Sequence, residues 1–316
     1  MDTNIKENFD IITFVESICG KDGRSLFPVQ KFMLKCYYGM ELDGSDECIS
    51  VPDIMNEKIL YHFTEKTFLK WLYEEGRCNT DTTEGKKFRE LLMVMGRRAS
   101  KSTISSIISN FEINRLLEIE DMYKHYGLPS GSKIYVLNVA PTNSQASIIS
   151  EMIKNEGMRV PLIQERLVRN TMALSSFKTD SDIAREGKPS LIRLAGGCSS
   201  NSLRGRNAIV VIMDEMAFFW DKGESSCGEV YKALMPSVCN FGDDGRFISI
   251  SSPCKKEGLF YDRYKQSFDE PESTLMFQMY TSMVNPTVSP VFLKAARARS
   301  EDDFMNEFGA EFSDSV

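Results

Sequence analysis

The chain is most constrained by the stretch from residue 91 to residue 111. Leu91 to Met95 is an apolar run of strand length, followed at once by Gly96, Arg97, Arg98, Ala99, Ser100, Lys101 and Ser102. Beyond it, Ile104, Ile107, Ile108 and Phe111 recur at helical spacing, which predicts a helix from Lys101 onward. Strand, tight basic loop, Lys-Ser and helix together form an arrangement suited to a triphosphate. Backbone N–H groups of the loop and of the helix start face the phosphates, the Lys adds a mobile positive charge, and the Ser hydroxyl can ligate Mg²⁺. The candidate nucleotide contacts are therefore Gly96, Arg97, Arg98, Ala99, Ser100, Lys101, Ser102 and Thr103. Two positions depart from the usual spacing. Ser100 precedes the Lys where Gly is usual, because a Cβ there crowds the turn or the phosphate. Met95 stands six before the Lys, where another Gly is usual, and Gly96 comes one place later. Taken alone, the stretch also reads as a basic turn on the surface, so other parts of the chain must decide.

Further apolar runs of strand length fall at 131–140, 188–195, 208–213 and 246–251, with a shorter one near 276–281. Helical segments are expected between them, from 101, from 144 to 153 and at 292–299, with a surface helix at 159–169. Residues 1–90 read as helical and irregular, with a turn at 20–23 and loops at 41–52 and 74–86. Strands alternating with helices imply an α/β fold, a mostly parallel central sheet flanked by helices. In such sheets ligands bind beyond the carboxyl ends of the strands. Lys101, Pro141, Asp214 and Ser252 all follow strand ends, so they are expected along one edge of the sheet.

Asp214-Glu215, delivered by the apolar run Ala208 to Met213, carries the chemistry. Phosphoryl transfer to water needs a metal to neutralise the phosphate oxygens and a group to orient or deprotonate the attacking water. Asp214 can hold Mg²⁺ together with Ser102, and Glu215 can act as the catalytic carboxylate. An acidic pair favoured by a helix dipole is the bland alternative. Arg204, in the small polar loop 196–206, can be offered to a neighbour's γ-phosphate or be a plain solvated Arg. Ser252, in Ser251-Ser252-Pro253, can sense the γ-phosphate or belong to an ordinary Ser-Pro turn. Gln30 can offer its amide to both a donor and an acceptor on an adenine edge, or be an exposed helix Gln.

Composition removes several other classes. At 316 residues, with 42% hydrophobic and 26% charged residues, the chain can bury a substantial core. No apolar run approaches the length of a membrane span, and the charged N-terminus lacks a signal-peptide core. The eight cysteines are scattered without a C-x-x-C pair, and neither His62 nor His125 sits in a ligand-spaced cluster. Reduced thiols in an intracellular protein, without a zinc site, are expected. A net charge of −7 argues against a general polyanion-binding coat while leaving room for a local basic groove.

In order along the chain, these motifs resemble the ATPase domain of the large terminase subunit, the DNA-packaging motor of tailed bacteriophages. Gly96 to Ser102 is similar to that family's late-starting phosphate loop, G-R-R-x-G-K-[ST], with Ser100 in place of Gly. The likeness continues through Gln30, NVAPTNSQAS, Leu203-Arg204-Gly205, Asp214-Glu215-Met216-Ala217, Ser251-Ser252-Pro253, NPTVS and FMNEFGAEF, covering roughly residues 25–313. It implies an ASCE-type (RecA-like) P-loop core over about 25–254, with about 1–24 and 255–316 contributing to a small lid. It also implies ATP and Mg²⁺ as cofactors, Gln30 reading adenine, Arg97 on phosphate, Arg204 as a finger acting between ring neighbours, and Glu215 as the catalytic carboxylate. The implied partners are double-stranded DNA, a portal protein and the small terminase subunit. A homo-oligomeric ring, a pentamer when assembled and a monomer in isolation, is expected in the host cell cytoplasm, with no membrane. Full-length members carry an RNase H-like nuclease domain, which would begin where this sequence stops, so an ATPase-only chain is expected. The rival expectations are a helicase-type nucleic-acid-dependent ATPase and a degenerate, non-hydrolysing nucleotide-binding module.

Overall fold

Seven consecutive residues from Ala208 to Asp214 are buried, as are all six from Glu90 to Met95 and all six from Arg246 to Ser251. A strand buried at every position has core on both of its faces, the signature of a sheet sandwiched between helices. The computed structural model describes residues 10–19, 25–197, 203–220 and 222–314. Its ten described strands are β1 (Ile49–Pro52), β2 (Leu60–Phe63), β3 (Glu90–Met95), β4 (Ile134–Ala140), β5 (Leu167–Asn170), β6 (Leu174–Phe177), β7 (Leu191–Gly197), β8 (Ala208–Asp214), β9 (Arg246–Ser251) and β10 (Thr274–Met279). Eight of them form one sheet in the order β10-β3-β9-β8-β4-β7-β6-β5, and β1 and β2 form a separate antiparallel pair. The fold is an α/β architecture with a mixed, mostly parallel sheet flanked by helices. No described helix is long and apolar enough to cross a membrane.

The chain divides into two units. The first comprises residues 1–25, 102–214 and 222–247. In it β4 pairs in parallel with both β7 and β8, while β7, β6 and β5 follow one another antiparallel. Helix Asn143–Gly157 starts directly after β4, because the Thr142 side chain accepts the Gln145 N–H and caps it. The second unit comprises residues 26–101, 215–221 and 248–316. There β10 pairs in parallel with β3, and helices Pro28–Tyr37, Glu65–Glu74, Gly258–Ser267, Pro290–Arg299 and Glu301–Glu307 belong to the same unit. β10 comes from the C-terminal segment that the sequence assigns to a lid.

Two expectations need correction. The surface helix expected over 159–169 is helical only over Pro161–Arg166, and Leu167–Asn170 is the edge strand β5. Residues 41–52, expected as loop, include β1. Both cases involve four-residue strands whose hydrogen bonds come from a partner strand, so propensity over so short a run decides little. The turn expected at 20–23 and residues 198–202 of the loop 196–206 lie outside the described residues.

Candidate phosphate-binding site

The loop after β3 is fixed by the C-terminal segment of its own unit. Gly96 N–H donates to the Met279 carbonyl at 3.1 Å, and Arg97 N–H to the Glu307 carbonyl at 2.6 Å. Thr281 Oγ1 donates to the Arg97 carbonyl at 2.7 Å and Asn285 Nδ2 to the Arg98 carbonyl at 2.9 Å. Gly96 is glycine for space. A Cβ there would lie 2.4 Å from Thr281 Oγ1 and 2.6 Å from the Phe308 carbonyl oxygen. Arg98 and Ser100 both adopt left-handed backbone, at φ +65° and +64°. Ser100 thus sits in a conformation that glycine adopts freely and an L side chain does not. Among the described residues its hydroxyl has no hydrogen-bond partner to offset that cost. Ser100→Gly is therefore expected to stabilise the protein by up to about 1 kcal/mol, the relief of strain exceeding the added unfolded-state entropy. Urea titration checks this, and a lowered midpoint would show that the strain is absent.

Helix Lys101–Leu117 begins at the end of this loop. Lys101 is buried, and its Nζ donates to Ser252 Oγ at 2.7 Å and lies 3.8 Å from Glu215 Oε1. Ser252 directly follows β9 and Glu215 directly follows β8. Glu215 is also left-handed, at φ +51° and ψ +44°. Ser251 Oγ donates to Glu215 Oε2 at 3.3 Å and accepts the Ala217 N–H at 3.2 Å. One fully buried hydroxyl thus ties the carboxylate to the turn that presents it. A non-glycine residue held in this region costs on the order of 1–3 kcal/mol and persists where the surroundings over-determine it. Lysine, hydroxyl and carboxylate converge within one unit, and together they can bind an anionic group and orient a water beside it.

The other candidates are placed as follows. Asp214 is buried as the last residue of β8, and Ser102 and Thr103 are half-buried in the first turn of helix Lys101–Leu117. Ala99 is buried, its N–H donating to the Gly96 carbonyl at 3.2 Å. The Arg97 guanidinium pairs with Glu307, whereas Arg98 is exposed and has no ion-pair partner among the described residues. Gln30 is not an exposed helix residue. It is 3% exposed, and its Oε1 accepts the Phe27 N–H at 3.0 Å, satisfying an N-terminal amide of helix Pro28–Tyr37. Arg204, in the other unit, is exposed, with Nη2 3.5 Å from Glu229 Oε2. Sequence reasoning missed Thr281 and Glu307. Asn285 in NPTVS and Glu307 in FMNEFGAEF stood in stretches that carried the resemblance, but no role followed from them, and Thr281, 184 residues from Arg97, carries no local signal at all.

Comparison with known proteins bears on the fold. No curated protein matches the chain. Among solved structures, a mutant of the large terminase ATPase domain of Thermus phage P74-26 is similar at TM-score 0.50 and 21% identity, over 72% of this chain and 90% of that one. The HK97 bacteriophage large terminase is similar at TM-score 0.57 and 14% identity, over 96% of this chain and 54% of that one. The chain therefore spans about half the length of the HK97 protein. At these identities the likeness is one of fold. A family model described as "Uncharacterized protein MJ0330, N-terminal P-loop domain" matches residues 3–306. Nearly the whole chain is thus accounted for by one P-loop domain, and the protein belongs to the MJ0330 N-terminal P-loop domain family.

Proposed function

We propose that this P-loop domain hydrolyses ATP, and that hydrolysis powers translocation of double-stranded viral DNA into a procapsid. The observation that supports this reading best is the 3.8 Å approach of Lys101 Nζ to Glu215 Oε1, beside Ser251 and Ser252. In this reading Lys101 binds the β- and γ-phosphates by charge, and the loop amides of Arg98 and Ser100, with those of the helix start, orient them, because the Gly96, Arg97 and Ala99 amides are engaged by carbonyls. Glu215, held by Ser251, orients the attacking water and accepts its proton. Ser252 senses the γ-phosphate through the hydroxyl that now receives the Lys101 hydrogen bond. Ser102 and Asp214, the chain neighbours of Lys101 and Glu215, would hold Mg²⁺. A hydroxyl and a carboxylate are oxygen donors suited to that hard cation, which takes its remaining ligands from water and phosphate. When bound, Mg²⁺ neutralises phosphate charge. Arg97 reaches phosphate by leaving Glu307, and Gln30 reads adenine by exchanging its bond to Phe27 or by using its NH₂ group.

Arg204 acts in a neighbouring subunit of a homo-oligomeric ring, working with a portal protein and a small terminase subunit in the host cytoplasm. Arg204→Ala is accordingly expected to bind ATP normally and to hydrolyse slowly. Mixing it with Glu215→Gln subunits is expected to restore part of the rate, because each intact Glu215 then receives an Arg204 from its neighbour. Failure to restore activity in rings shown to be mixed would remove the trans role.

Phosphate release by the assembled protein, with and without duplex DNA, tests the whole reading. Stimulation by DNA without strand separation is expected. ATP-driven unwinding of a short duplex would indicate a helicase-type ATPase, and ATP binding without turnover would indicate a degenerate module.

A further inference from the structure

The first unit buries a positive charge that the proposed chemistry does not use. Arg193, on β7, is 1% exposed, and among the described residues no carboxylate lies within ion-pair distance of it. Its guanidinium is solvated by neutral groups alone. Nε and Nη2 donate to Ser175 Oγ at 3.2 and 2.9 Å, Nη1 to Ser150 Oγ at 2.5 Å, and Nη2 also to the Thr171 carbonyl at 3.4 Å. These are four bonds from a group with five N–H donors, so one donor on Nη1 remains. Burying an unpaired charge is costly, and proteins ordinarily pair it. Burial pushes the guanidinium down to about 10, which still leaves it charged at neutral pH.

Arg193 lines a cavity built entirely from first-unit residues. Lys154, Asn110, Asn170 and Ser175 also line it, no Asp or Glu does, and the remaining walls are glycine and apolar side chains. Lys154 likewise has no carboxylate partner among the described residues. The nearby Ile153 carbonyl, which would repel an anion, is occupied by Asn110 Nδ2 at 3.0 Å. The cavity is partly open to solvent, and at its base the centre of a water-sized particle has about 10 Å³ of freedom. That is room for about one such particle. A phosphate or carboxylate needs several times more; a halide is only slightly larger than water.

We propose that the cavity between Arg193 and Lys154 is a structural site for a single halide-sized anion, chloride under ordinary conditions. The anion supplies the counter-charge that the fold withholds from Arg193 and accepts its remaining N–H. It couples strand β7 to helix Asn143–Gly157, which carries both Ser150 and Lys154.

Two measurements on the full chain decide the matter. Thermal unfolding is followed in sodium chloride and in sodium gluconate at equal ionic strength. Chloride is expected to raise Tm relative to gluconate, by on the order of 2 °C at a tenfold excess over its dissociation constant. Lys154→Met, at a half-buried position where the variant should still fold, is expected to lose most of that difference. Crystals grown in sodium bromide should show an anomalous peak within hydrogen-bond distance of Arg193 Nη1. Equal Tm in the two salts, a salt difference unchanged in Lys154→Met, or an ordered water without anomalous signal would each overturn the proposal.

Discussion

Glu215→Gln is expected to keep ATP binding and to lower the steady-state rate by on the order of 10²–10⁴. The substitution is nearly isosteric. The amide oxygen of Gln can still accept from Ser251 Oγ, which lies 3.3 Å from Glu215 Oε2 in the native protein, and the Ser251 bond to the Ala217 N–H is untouched. Lys101 loses its partner at 3.8 Å but keeps the hydrogen bond to Ser252 at 2.7 Å. The sign of the binding change follows from charge: a carboxylate beside the phosphates repels them, so neutralising it leaves affinity equal or tighter. What disappears is the only group in the cluster able to take a proton from water. Equilibrium binding of a fluorescent nucleotide and single-turnover phosphate release measure the two quantities separately. An unchanged rate would dismiss Glu215 from catalysis, and lost binding would make its role structural.

Gly96→Ala should destabilise the protein by about 1–3 kcal/mol, the usual cost of forcing an extra carbon into packed surroundings. The new Cβ meets the Thr281 hydroxyl at 2.4 Å and the Phe308 carbonyl oxygen at 2.6 Å. Neither can yield cheaply. Thr281 is 1% exposed and donates to the Arg97 carbonyl, and the Phe308 carbonyl accepts the Thr281 N–H at 2.8 Å. Relief of the clash must move the loop, so on the proposed reading of its amides as phosphate contacts nucleotide affinity should fall with stability. Gly228→Ala provides the control. That glycine lies in helix Cys227–Cys239, has nothing within 4 Å of an added Cβ, and should gain up to about 1 kcal/mol from helix propensity. Chemical denaturation of the two variants checks the contrast; equal midpoints would mean that the approach at Gly96 is looser than the structure has it.

Much of the architecture was legible because its signals are local. Leu91 to Met95, Ala208 to Met213 and Arg246 to Ser251 are apolar at every or nearly every second position, and each ends in residues with chemistry to offer. The runs that escaped notice, β1, β2, β5 and β6, are four residues long and owe their form to a partner strand. Gln30 illustrates a subtler limit. Its position at the start of a helix behind Pro28 was readable, but both readings of its side chain faced outward, whereas the free N–H of Phe27 draws the amide carbonyl inward.

By itself the sequence determined which groups are available and on what kind of element each is carried, because helical and strand periodicity are properties of neighbouring residues. It also determined that a lysine, a hydroxyl pair and an acidic doublet all stand just beyond strand ends. Only the tertiary structure decided that Lys101 meets a serine 151 residues away and a carboxylate 3.8 Å off. It alone decided that Ser100 and Glu215 are held left-handed, that Arg97 is pinned by Glu307, and that Arg193 is buried with no carboxylate partner among the described residues. The reason is the same in each case: backbone strain, desolvation and charge pairing depend on atoms brought close by folding, and their energies have no counterpart in the spacing of residues along the chain.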